Sequence, residues 1–152
     1  MIPDLITKTG CLWPLLPPGI HTATMDEVYN MFVTNPRKKD LFEGLKRGAD
    51  NLFHSGSPEL YLDGGYVTAN PSPSDYDVCW NGSFVDPNIL DPVFLDFTNG
   101  RKNQKIKYLG EYFLTTMIEG LSRKPFLDFF QTDKHTGQQK GIIRITNYIK
   151  RK

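Results

Sequence analysis

The chain has little of what marks a secreted, disulfide-built or membrane protein. It holds two cysteines, Cys11 and Cys79, too few for a disulfide framework or a cysteine zinc site, so a reducing, cytoplasmic setting is expected. No apolar run approaches the ~20 residues of a membrane-spanning helix, and no membrane partner is expected. The N-terminus has no basic start, and Pro14, Pro17 and Pro18 interrupt its apolar stretch, unlike a signal peptide. Charge of one sign is missing too: 18 Lys and Arg stand against 17 Asp and Glu. That excludes nucleic-acid binding through a broadly basic domain and leaves room for a local basic patch. His21, His54 and His135 are dispersed, and no Ser or Cys nucleophile has an evident His partner. Walker and dinucleotide loops are absent, and Asp75-x-Asp77-x-Cys79 lacks the further ligands and the Gly of a calcium loop.

What is present suits a single domain over 1–152. A chain of 152 residues buries roughly two-thirds of its unfolded surface. Ten Phe, seven Tyr and two Trp oppose disorder. Residues 1–20 read as a Pro-rich arm, held on the domain by Trp13, Leu15 and Leu16. Thr24 and Glu27 form a capping box for a helix that runs to about Val33 and buries Val28, Met31 and Phe32. Asn35-Pro36 starts a second helix with Leu41, Phe42, Leu45, Ala49, Leu52 and Phe53 inside and Lys38, Lys39, Glu43 and Lys46 outside.

Beyond Ser55-Gly56-Ser57-Pro58 the pattern becomes strand-like. Glu59–Leu62 leads into Asp63-Gly64-Gly65. Asp75–Trp80 follows, and Val93–Phe97 reads as a third strand. Residues 101–121 read as a helix that is basic at its start. A short helix at Pro125–Gln131 precedes a last strand at Gly141–Ile149. The fold expected is α/β (α+β), a mixed sheet of four or five strands with helices packed on one face.

Side chains alternate along a strand, so Asp75, Asp77 and Cys79 share a face, while Tyr76, Val78 and Trp80 face helices. Carboxylates two residues apart lie roughly 6.6 Å apart at Cα. Such like charges raise one another's pKa unless a cation joins them, and carboxylate oxygens suit Mg²⁺ (or Mn²⁺). Asp96 is the candidate third carboxylate, on the expected Val93–Phe97 strand; Asp63 and Glu111 read as a turn cap and a helix-surface residue. Gly64 and Gly65 let backbone come close to a phosphate. Arg101, Lys102, Lys105 and Lys107 form either a solvated helix face or a cation cluster; Arg101 and Lys105 are the candidates to meet a nucleotide. Lys140, Arg144, Lys150, Arg151 and Lys152 make the C-terminus basic.

Gly64-Gly65, nine residues, then Asp75-Tyr76-Asp77-Val78 resembles the signature of the polymerase-β-like nucleotidyltransferase superfamily: a hydrophobic residue, Gly-[Gly/Ser], a short spacer and Asp-x-[Asp/Glu] with hydrophobic residues between. Asp63 departs from it, standing where the signature has a hydrophobic residue. The wider chain is similar to a small bacterial and phage family of stand-alone nucleotidyltransferase-like proteins. That similarity lies in Leu16-Pro17-Pro18-Gly19-Ile20-His21, in Leu62 to Thr68, in Asp91 to Phe97, and in Phe126-Leu127-Asp128-Phe129-Phe130-Gln131.

The superfamily resemblance implies metal-dependent transfer of a nucleoside monophosphate from a nucleoside triphosphate to an acceptor, RNA or protein. Gly64 and Gly65 would cradle phosphates, and Asp75, Asp77 and Asp96 would bind metal. Two alternatives remain open. One is a catalytically silent module that binds a nucleotide or a protein partner. The other is an antitoxin-type transferase that modifies a protein.

Overall fold

A computed structural model describes residues 1–149; Lys150, Arg151 and Lys152 of the basic C-terminus lie outside the described residues. Nine regular elements follow one another: β1 Gly19–Thr22, α1 Met25–Phe32, α2 Pro36–His54, β2 Glu59–Asp63, β3 Tyr76–Trp80, α3 Lys102–Tyr108, β4 Gly110–Leu114, α4 Phe126–Phe129 and β5 Gly141–Thr146. The strands form one open mixed sheet in the order β1-β5-β2-β3-β4. β1 runs parallel to β5, β5 and β3 run antiparallel to β2, and β4 runs parallel to β3. Among the described residues, no helix is long and apolar enough to cross a membrane.

The α1, α2 and α3 helices cover one face of the sheet. Leu60, Leu62, Tyr76, Val78, Trp80, Tyr112, Ile143 and Ile145 point into that layer, against Val28 and Phe32 of α1 and Leu41, Leu45, Leu52 and Phe53 of α2. The capping box forms as expected, Thr24 Oγ1 accepting from the Glu27 amide and Glu27 Oε1 from the Thr24 amide, both at 3.1 Å. Gly44 and Gly48 let α2 lie against Tyr108 and Tyr112, with no room for a Cβ. The opposite face of the sheet carries a smaller apolar cluster of Tyr61, Cys79, Phe113, Ile142 and, around α4, Phe126 and Phe130. The N-terminal arm packs on the domain through Leu15 and Leu16, and its end becomes β1, a strand the sequence did not suggest.

Several expectations need correction. Val93–Phe97 is not a strand. Asp91 accepts from the Val93 amide and Pro92 opens a 3₁₀ turn, Pro92–Leu95, whose Phe94 stacks on Tyr108 in the helical layer. The stretch 101–121 is not one helix. Helix α3 stops where Leu109 turns left-handed, at φ 64°, and the chain re-enters the sheet as β4. Glu111 is therefore a strand residue. Strand β5 ends at Thr146 rather than Ile149. Lys38, expected outside, is 3% exposed, and its Nζ donates to the carbonyls of Tyr66 and Thr68.

Candidate active site: an acidic row beside the diglycine turn

On the face away from α1–α3, strand register aligns three carboxylates. Asp63 of β2 is directly opposite Asp77 of β3, and Asp77 is directly opposite Glu111 of β4. Cβ atoms of facing residues in adjacent strands lie only about 5 Å apart. Asp75, one residue before β3, joins the row at its end. All four line a cleft of ≈ 810 Å³ with Gly64, Gly65 and Lys140, within the ~300–1,000 Å³ range of small-molecule sites. The arm at Leu12 and Trp13 and the aromatic rings of Phe113, Phe129 and Phe130 form the apolar part of its wall.

The first turn of α2 builds the loop that delivers Asp75. Asn35 caps α2 and also donates to the Pro71 carbonyl at 2.7 Å. Arg37 donates to the carbonyls of Pro73 and Ser74. Lys38 ties down the segment after the diglycine, lying over the rings of Phe32 and Tyr66. Sequence reasoning assigned Arg37 and Lys38 no such part, because the carbonyls they hold come from a distant loop.

Gly64 is the constrained glycine. Its φ of 89° with ψ −173° is a region open essentially to glycine. A Cβ there would sit 2.8 Å from Oδ2 of Asp77. The turn and the central carboxylate are thus in contact. Gly65 has no such φ, and its nearest neighbour would be Asn70 at 3.4 Å.

The charges are unevenly balanced. Lys140 pairs with Asp63 and Lys105 with Glu111, each at 2.9 Å. The carboxylates of Asp75 and Asp77 have no hydrogen-bond or ion-pair partner among the described residues. Burial pushes Asp77 well above the usual carboxylate range, and the charges of Asp63, Asp75 and Glu111 push the same way. Burial also raises Asp75, with Glu111 adding to it. Asp63 is raised by burial against the pull of Lys140. Burial raises the Cys79 thiol as well, which fits a packed residue beneath the row.

Of the residues singled out in the sequence, Gly64, Gly65, Asp75 and Asp77 come together here. Lys105 joins them through Glu111, and Arg101 lies over the Phe113 ring at the β4 rim. Asp96 does not join them. It closes the 3₁₀ turn ahead of α3, partly exposed and outside the lining of the cleft. Its carboxylate accepts from Thr98 Oγ1 at 2.6 Å and Asn103 Nδ2 at 2.8 Å, and these bonds, that to Thr98 foremost, lower its pKa. Glu111 takes the place expected for Asp96. The signal for it was Gly110 followed by Tyr112, Phe113 and Leu114, a helix breaker ahead of β-forming residues.

Three acidic side chains, Asp75, Asp77 and Glu111, thus line the cleft on β3, just before it and on β4, two of them without an ion-pair partner among the described residues. Among the described residues, no group of three or more His, Cys, Asp or Glu is placed so that it could hold a metal ion as it stands.

Fold and site define a class: an open α/β sheet with a carboxylate row flanked by a glycine turn in one cleft. The chain belongs to the DUF6932 family, a family of unknown function, whose model matches residues 13–146. That span contains the whole acidic row, the diglycine turn and Lys140. No curated protein and no solved structure matches the chain.

Proposed function

We propose that the protein is a metal-dependent nucleotidyltransferase whose three carboxylates are Asp75, Asp77 and Glu111. The observation that carries this reading is the register of β2, β3 and β4, which sets Asp77 between Asp63 and Glu111 and against the Gly64 turn. Two unpaired, half-buried carboxylates side by side in a cleft repel one another unless a cation joins them. Asp75, Asp77 and Glu111 would hold Mg²⁺ or Mn²⁺, which when bound stabilises charge on a transferring phosphate. The Gly64–Gly65 turn, which lines the same cleft, would face the phosphate oxygens. The acceptor's oxygen or nitrogen forms its bond to the α-phosphorus as the bond to pyrophosphate breaks, and a carboxylate of the row takes the acceptor's proton.

The test is transfer of label from α-labelled nucleoside triphosphates to tRNA, protein fractions or cell lysate. Wild type is expected to label an acceptor. Asp77→Asn and Glu111→Gln should lose ~100-fold or more, the scale of one positioned acid–base group, while Asp96→Asn should keep its activity. Full labelling by Glu111→Gln would remove Glu111 from the site. Failure of the wild type with every metal and nucleotide would instead favour a silent module. The Lys140–Asp63 and Lys105–Glu111 pairs support that second reading, since they balance two of the charges without a metal.

A further inference from the structure

The link between Asp96 and α3 is strained. Asn99, Gly100 and Arg101 take φ of 51°, 62° and 62° in succession, and the Cβ of Asn99 and of Arg101 disfavours that region. Such strain persists where the surroundings fix it, and it gathers at functional sites. Here the Arg101 side chain is held on three sides. Its guanidinium carbon lies 3.8 Å from the centre of the Phe113 ring and 4.8 Å from that of Phe97. Its Nε donates to the Tyr112 carbonyl at 3.1 Å.

The rings and the carbonyl leave the terminal NH₂ groups unused. They have no hydrogen-bond or ion-pair partner among the described residues. Glu111 stands two residues before Phe113 on the same face of β4, and its carboxylate pairs with Lys105 instead. A stacked guanidinium with its terminal N–H groups free is a planar fork that matches phosphate oxygens bidentately.

We infer that Arg101, stacked on the cleft-lining Phe113 ring, is a phosphate-binding fork beside the β4 edge of the cleft, receiving a phosphoryl group of the nucleotide or of a phosphate-bearing acceptor. The choice of phosphate rests on the nucleotidyl-transfer reading. The arrangement of the fork does not.

Calorimetry in metal-free buffer tests it, with inorganic tripolyphosphate, ATP, and an oligoribonucleotide with and without a 5′-phosphate as probes. Wild type should bind at least one phosphate probe, and Arg101→Met and Arg101→Lys should each weaken that binding roughly tenfold or more, the scale of a lost charged hydrogen bond. Lys retains the charge and the aliphatic stem, so it decides the matter if the Met variant does not fold. Loss with tripolyphosphate and ATP assigns the fork to the donor nucleotide. Loss confined to the 5′-phosphorylated oligonucleotide assigns it to the acceptor. Equal affinity in either folded variant, or no phosphate binding by wild type, overturns the inference. A protein that binds phosphate through Arg101 yet transfers no label would lose the proposed reaction and keep the fork.

Discussion

At the scale of single residues, Asp77 and Gly64 define the site, and each makes a measurable demand on stability. Asp77 holds its proton far more tightly folded than unfolded, where the ordinary carboxylate value of 3.8 applies. The folded state therefore binds more protons across that interval, and stability must fall as pH rises from about 3.8 through the raised folded value. Asp77→Asn removes this loss. In metal-free buffer its stability advantage over wild type should grow above pH 4 or so and then level off; an advantage independent of pH would contradict the raised pKa of Asp77. At Gly64, alanine meets both a φ of 89° and the Asp77 carboxylate. Gly64→Ala should cost ~1–3 kcal/mol in denaturant unfolding, the scale of such backbone strain, and Gly65→Ala clearly less. Equal costs would show that the turn relaxes.

At the scale of elements, α3 matters through one side chain. Gln104 is fully buried. Its Oε1 accepts from the Tyr112 amide at 2.7 Å and its Nε2 donates to the Val93 carbonyl at 3.1 Å, so it joins the 3₁₀ turn to the outer edge of β4. Gln104→Leu strands both backbone groups and should cost roughly 1–3 kcal/mol. Lys105→Ala, one residue further on, removes a half-exposed ion pair worth about 1 kcal/mol or less. Chemical denaturation of the two variants checks the order, and an equal loss would mean that water replaces the glutamine. Helix α2 shows the same division of labour: its apolar stripe packs the sheet, while Asn35, Arg37 and Lys38 at its start hold the loop that ends in Asp75.

At the scale of the whole molecule, the sequence revealed what is local. The capping box, the apolar stripe of α2, the alternation around Asp75–Trp80 and the spacing from Gly65 to Asp75 each depend on neighbours in the chain, and they located half of the site. Glu111, Lys140 and Asp63 became site residues only through pairing of strands far apart in sequence. A short apolar run misled at Val93–Phe97, because a 3₁₀ turn that buries Phe94 is apolar too; Asp91-Pro92, a cap with proline behind it, was the overlooked sign. The sealed rim of β4 has one more consequence. Gln104 takes the outward amide of Tyr112, Arg101 its carbonyl, and the Met117 amide that of Leu114. Hydrogen bonding by an added strand is blocked there, so the sheet can grow only past the short, mostly exposed β1. Two copies joined there would present a sealed β4 at either end, so self-association by strand addition would stop at a pair and could not run on into a fibre.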